Sequence, residues 1–274
     1  MKKKSFGFTL IEVAFFIAIT GLLFVGIIAG TQSSIWQQRY NDSVQNFADF
    51  LRNIYAEASS IQGVSDGRSD KAIYGKMISF GQKVGLDGKE ISKDQQVVFV
   101  YDLIGDASGS GGNDIKAALA SLGINVVKKA DNSNKAEYAG IVESYSPIWG
   151  AVIEGVTPGS NYSGTILVVR NPNTGLINTL VSGGSINVNS IMRDYSNDYE
   201  NNNKVKELLT GPLRDWKDGN EFKVDVVDFC LNPYGLGQTG MLRRDIRLVK
   251  NARNASGVEI IDLVNDSRNA CANK

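Results

Sequence analysis

The sequence predicts an α+β protein, with one long N-terminal helix (a membrane-spanning half and an amphipathic half) packed on a mainly antiparallel sheet domain. Three observations predict it. An apolar run over 8–30 follows Lys2, Lys3 and Lys4 and contains one carboxylate, Glu12. Beyond it Val44, Phe47, Leu51, Ile54 and Ala58 recur at spacings of three and four, with Gln45, Asn46, Asp49, Arg52, Asn53 and Glu57 on other faces, so helical periodicity continues. After Gly63 the pattern changes to short β-rich runs separated by glycine and asparagine.

The run over 8–30 is about 23 residues, or roughly 34 Å as a helix, enough to cross a hydrocarbon layer about 30 Å thick. Gly21, Gly26 and Gly30 interrupt it; they serve close helix contact, or are ordinary membrane-helix glycines. Ile35 and Trp36 are placed at the membrane exit, where an indole keeps its N–H wet while burying its ring. The amphipathic continuation is expected to stop at Gly63 and the polar stretch 65–71. Strands are expected over 77–80, 96–101, 140–145, 148–153, 165–170, 176–180, 185–192, 221–229, 246–249 and 257–264. Asn171, Pro172, Asn173, Thr174 and Gly175 read as a hairpin turn, and 114–122 and 204–209 as short helices. No linker or repeat separates a second domain.

The three lysines keep the N-terminal end on the cytoplasmic side, so the rest of the chain is expected outside. A secretory signal has its small-residue cleavage site after the apolar core, whereas Gly7 stands before it. Cleavage at Gly7 would leave the apolar segment on the mature chain. A carboxylate within a span costs roughly 2.5–3.5 kcal/mol, so Glu12 calls for a partner. That partner is the Phe8 amine one helical turn away, or the same amine of a neighbouring subunit. The bland alternative is a Glu12 close enough to the headgroups to stay hydrated.

Lys2, Lys3, Lys4, Gly7, Phe8, Thr9, Leu10, Ile11, Glu12 and Val13, in the pattern KKxxFGFTLIEV, resemble the class III leader of type IV prepilins and type II secretion pseudopilins. The resemblance covers residues 1–30. It implies cleavage between Gly7 and Phe8 by a membrane prepilin peptidase, N-methylation of Phe8, and Glu12 as the fifth mature residue. Pairing of Glu12 with a neighbour's amine would neutralise two buried charges and set the stagger between subunits. The implied organisation is a leader at 1–7, a transmembrane or filament-core helix at 8–30, an amphipathic continuation at 31–62 and an exported β-rich domain at 63–274. The implied partners are other pilin or pseudopilin subunits, the peptidase, the membrane assembly platform, and membrane lipid before assembly. The implied location is the cytoplasmic membrane, crossed once with the C-terminal domain outside, and then a surface or periplasmic filament.

Cys230 and Cys271 are the only cysteines. The stapled C-terminal loop of many pilins implies that they pair, worth at most roughly 4 kcal/mol in the chain-entropy model. Two reduced buried thiols are the alternative. Arg243, Arg244, Arg247, Lys250 and Arg253 concentrate positive charge in a chain that balances 29 basic against 29 acidic residues. As a strand, this stretch would put Arg243, Asp245 and Arg247 on one face and Arg244, Ile246 and Leu248 on the other. Its surroundings, CLNPYGLGQTGMLRRDIRLVKNARNASGVEI, loosely resemble the C-terminal region of H-type pseudopilins and their competence-pilin relatives, some of which capture DNA through a Gly-Arg-x-Arg element. Here Met241 and Leu242 separate Gly240 from Arg243. Arginines that neutralise Asp245 or pack against neighbouring subunits are therefore the expectation, and DNA binding through Arg243, Arg244 and Arg247 is the alternative.

Composition argues against an enzyme. The chain has no histidine, so the commonest general base and metal ligand is missing, and two cysteines cannot build a Cys/His zinc cluster. No cofactor or metal is expected. Gly109, Gly111 and Gly112 lack the lysine of a phosphate-binding loop, and Asp194, Asp198 and Glu200 lack calcium-loop spacing. Two function classes remain: a structural filament subunit, minor pilin or pseudopilin, and a pilus-associated module that captures DNA or a surface ligand.

Overall fold

The computed structural model describes residues 9–60, 62–63, 71–81, 96–106, 123–124, 127–129, 137–139, 141–157, 159–171, 174–182, 223–233, 243–261 and 268–271. Gly7, Phe8, the glycine loop at 109–112, the acidic residues at 194–200, the strand expected at 185–192 and the two short helices lie outside them. The α+β expectation holds: one long helix, α1 (Leu10–Ala58), is followed by antiparallel sheet. The chain forms two compact units, 1–42 and 43–274, and the division falls within α1.

In the first unit, α1 has a stretch long and apolar enough to cross a membrane. Its side chains stand exposed, Leu10, Phe16 and Leu22 among the most open. A helix apolar all round cannot be a surface helix in water, so this surface needs another cover. The polar groups within the run bond back onto the helix. The Thr20 hydroxyl donates to the Phe16 carbonyl at 2.6 Å and that of Thr31 to Ile27 at 3.0 Å.

In the second unit, Val44, Phe47, Leu51, Ile54 and Ala58 are buried as their spacing predicts, with Ala48, Phe50 and Tyr55 widening the stripe. The helix stops at Ala58, not at Gly63. Ser59 and Ser60 turn their N–H groups back to Ala56 and Glu57 at 3.2 and 3.3 Å, and their hydroxyls donate to the same carbonyls. The Arg170 guanidinium donates to the Ser59 carbonyl. The terminal carbonyls are thus satisfied without a glycine, and Gly63 enters a short strand instead.

The strands are β1 (Gln62–Gly63), β2 (Lys71–Ser79), β3 (Val98–Asp106), β4 (Gly123–Ile124), β5 (Val127–Lys129), β6 (Glu137–Ala139), β7 (Ile141–Tyr145), β8 (Val152–Glu154), β9 (Thr165–Arg170), β10 (Ile177–Ser182), β11 (Lys223–Val224), β12 (Val227–Asn232), β13 (Arg244–Leu248), β14 (Asn251–Ala252) and β15 (Val258–Ile261). One sheet runs β11-β10-β9-β2-β3-β4, with β1 on β2, β14 on β10 and β7 on β3; a second runs β15-β13-β12-β8; β5 and β6 pair by themselves. The expected hairpin is present. Arg170 pairs with Ile177, Gly175 takes φ 69°, and its N–H bonds the Asn171 carbonyl at 2.8 Å.

Three strand expectations need correction. The run at 148–153 begins as a turn, with Trp149 at φ 57° and Gly150 at φ 73°, and only β8 is extended. The Ser43 hydroxyl holds that turn, donating to the Ile148 carbonyl at 2.9 Å. The run at 221–229 breaks at Asp225 and Val226, so its first part joins the first sheet as β11 and its second part the other as β12. Gln96 is not in a strand either. Its side-chain amide stands in for one, accepting from the Ile153 N–H at 2.6 Å and donating to the Ile153 carbonyl at 2.8 Å. Between α1 and the sheets, Phe47, Phe50, Phe80, Tyr145, Tyr162 and Phe229 form one aromatic cluster with centroids 4.5–6.3 Å apart.

Candidate functional site

Glu12 sits in the first turn of α1 and is engaged within its own chain. Its carboxylate accepts from the Thr9 N–H at 2.9 Å and from the Thr9 hydroxyl at 2.9 Å, and the Glu12 N–H donates back to the Thr9 Oγ1 at 3.3 Å. This is a reciprocal capping box, which satisfies orphan N–H groups at a helix start. Thr9, named above only as part of the leader pattern, has a capping role besides. The signal was in the four residues Thr9-Leu10-Ile11-Glu12, which have the Thr-x-x-Glu spacing of such a box.

The second constellation lies on β12 and β13. Cys230 and Cys271 form a disulfide. The arginines expected to share a face do so, and that face is covered by the segment 268–271. Arg243 donates to Glu154 Oε2 at 3.1 Å and to the Cys271 carbonyl at 3.3 Å, while Asn232 holds the other Glu154 oxygen at 2.8 Å. Arg247 donates to Asp228 at 2.6 Å and to the Arg268 carbonyl at 2.5 Å. Asp245 accepts from the Ala270 N–H at 3.0 Å, and Asn269 accepts from the Cys271 N–H at 2.9 Å. Ile246 and Leu248 point the other way, into the core. Two of the five basic residues, Arg243 and Arg247, are therefore spent on a clasp that docks the C-terminal segment, while Lys250 lies 3.9 Å from Asp225.

Asp245 is fully buried, and its Oδ1 has no hydrogen-bond partner. Burial pushes its pKa up to about 6; the Asp228 charge adds to the rise, and the Ala270 N–H and Arg247 oppose it. A carboxyl whose pKa is raised on folding takes up a proton that the unfolded chain releases, so acidification from pH 7.5 to pH 5 should stabilise the domain through this group. The expected gain is about 1–2 kcal/mol. Urea unfolding at the two pH values, compared with Asp245→Asn, checks it. Parallel pH dependence in the two proteins would sink the assignment.

A third cluster ties the end of α1 to the first sheet. Lys76 Nζ lies 2.5 Å from Glu57 and 2.7 Å from Asp102, its cross-strand neighbour. Burial alone would lower the Lys76 pKa, but bonds to Asp102 and Glu57 outweigh that and hold it above its ordinary value. This is a charge-satisfied clamp, and sequence gave no sign of it. Among the described residues no group of three or more metal-ligating side chains could hold an ion.

No family model, curated protein or solved structure matches this chain. What it does must therefore be argued from its own residues.

Proposed function

We propose that the chain is a structural filament subunit, a minor pilin or pseudopilin, cleaved after Gly7 and assembled through its N-terminal helix, and that it is not an enzyme. The observation that carries this is one of order. Basic residues, glycine, aromatic residue, capping threonine and glutamate stand in sequence at the head of an exposed, apolar helix. Such a surface is satisfied first by lipid and then by copies of the same helix, without a change of fold. The amphipathic half of α1 seated on an antiparallel sheet, and a stapled C-terminal segment, agree with a pilin-like domain. Its partners are then other subunits, the peptidase that frees the Phe8 amine, and a membrane assembly platform. The C-terminal domain lies outside the cytoplasmic membrane.

The engagement of Arg243 and Arg247 with Glu154, Asp228 and the C-terminal carbonyls favours their structural role over DNA capture. Processing tests the proposal most directly. Gly7→Val is expected to leave an uncut precursor in the membrane, whereas the wild-type chain yields a mature protein beginning at N-methylated Phe8. Mass spectrometry finding any other mature start would refute the leader assignment.

A further inference from the structure

The first charged residue after Glu12 is Arg39. Its guanidinium lies over the Trp36 ring, 5.4 Å from the centroid, so the far end of the uncharged stretch is marked by an indole and a cation held together. The near end is marked by the Thr9–Glu12 box. Between them the threonine hydroxyls at 20 and 31 are bonded back to the helix. From Glu12 to Trp36 is about 24 residues, or about 36 Å along a helix. A hydrocarbon core is about 30 Å thick, and about 40–45 Å with its headgroup layers. A tilt of about 20° shortens the span to about 34 Å, still longer than the core.

We infer that α1 is a two-ended membrane ruler, with Trp36 and Arg39 in the outer headgroup layer of phospholipid and the Thr9–Glu12 box in the inner one. Indole and guanidinium suit the outer position, since the ring is amphipathic and the cation meets lipid phosphate. The orphan N–H groups at the start of a helix suit the inner one, where water reaches those the box does not satisfy. It follows that Glu12 is hydrated in the membrane-held subunit and loses its water only on assembly. The inference rests on reading 8–30 as a membrane span.

Depth-dependent quenching of single tryptophans in the full-length chain, in phosphatidylcholine–phosphatidylglycerol vesicles carrying bromine at shallow or deep acyl positions, tests it. Trp149→Phe with Trp216→Phe leaves Trp36 as reporter. In that background Trp36→Phe with Leu10→Trp reports the inner end, and Trp36→Phe with Leu23→Trp the middle. Trp36 and Leu10→Trp are expected to lose fluorescence mainly to shallow bromine, and Leu23→Trp mainly to deep. Deep quenching at Leu23→Trp together with deep or no quenching at either end would overturn the ruler while leaving the span standing. Absence of quenching at Leu23→Trp would overturn the span itself, and the ruler with it.

Discussion

Glu12→Ala is expected to leave the protein inserted, cleaved after Gly7 and folded beyond Ser43, yet largely missing from sheared filaments. Removing a carboxylate eases insertion if it changes it at all. The domain over 43–274 has its own core, and no residue of that core is near Glu12 in sequence. Assembly is different. In the filament a neighbour's Phe8 amine would enter an apolar interior without its counter-charge, at a cost of about 3–5 kcal/mol for an unpaired buried ion. The capping box supplies a control, because Glu12→Ala also removes the acceptor for Thr9. Glutamine can occupy the same position of a capping box without carrying charge. Glu12→Gln should therefore restore the helix start and still fail to incorporate. The measurement is the fraction of this chain recovered in filaments against the fraction left in membranes. Wild-type incorporation of Glu12→Gln would assign the residue to capping alone.

Gly75→Ala should be the most damaging small substitution in the domain over 43–274. Gly75 stands where the β2–β3 register shifts, and it pairs with Val169 of β9 on the other side. A Cβ there would lie 2.1 Å from the Val168 carbonyl oxygen and 2.9 Å from the Val169 Cα. Both are backbone atoms of a central strand, so no side chain can rotate out of the way. β2 and β9 would have to separate, which opens the middle of the larger sheet. A loss of about 3–5 kcal/mol or more is expected, in the range of severe core defects, and would show as a large fall in Tm or as insoluble protein. Gly155→Ala is the control within the same domain, since its added Cβ would meet only the Tyr162 Cδ2 at an ordinary 3.9 Å. A Gly75→Ala domain as stable as wild type would mean that the two strands are not held as described.

The parts legible in the sequence were those whose signal is local. The buried stripe from Val44 to Ala58 follows from helical spacing alone. Strand β9 was readable to the residue, because Thr165–Arg170 is a short apolar run closed by a turn whose Asn171 and Gly175 do what those residue types do. Where long-range contacts decide, local pattern misled. The run 221–229 reads as one strand, yet it is divided between two sheets at Asp225, whose N–H goes to the Thr179 carbonyl at 3.2 Å. Trp149 has high β-propensity but is held in a left-handed turn by a bond from a helix more than a hundred residues earlier. Of the candidate sites, the arginines' shared face came from strand alternation. What covers it was announced only by Cys271, whose pairing with Cys230 the pilin resemblance implied; the bonds to the Arg268 carbonyl and from the Ala270 N–H have no local signal in the sequence.

The anchoring of α1 within the domain over 43–274 has a mechanical consequence. Ser43, Tyr55, Glu57 and Ser59 are each fastened to a different partner: the Ile148 carbonyl, Thr179, Lys76 and Arg170. Gly257 packs so closely on the Tyr55 ring that a methyl group there would approach it to 2.6 Å. These fastenings are spread along the helix end from Ser43 to Ser59, so all of them must give way before it can leave the domain. Resistance to a pull is governed by the rate of unfolding and not by the equilibrium stability. A chain held by its helix and tugged by its domain would thus last as long as that rate allows, however deep its equilibrium well.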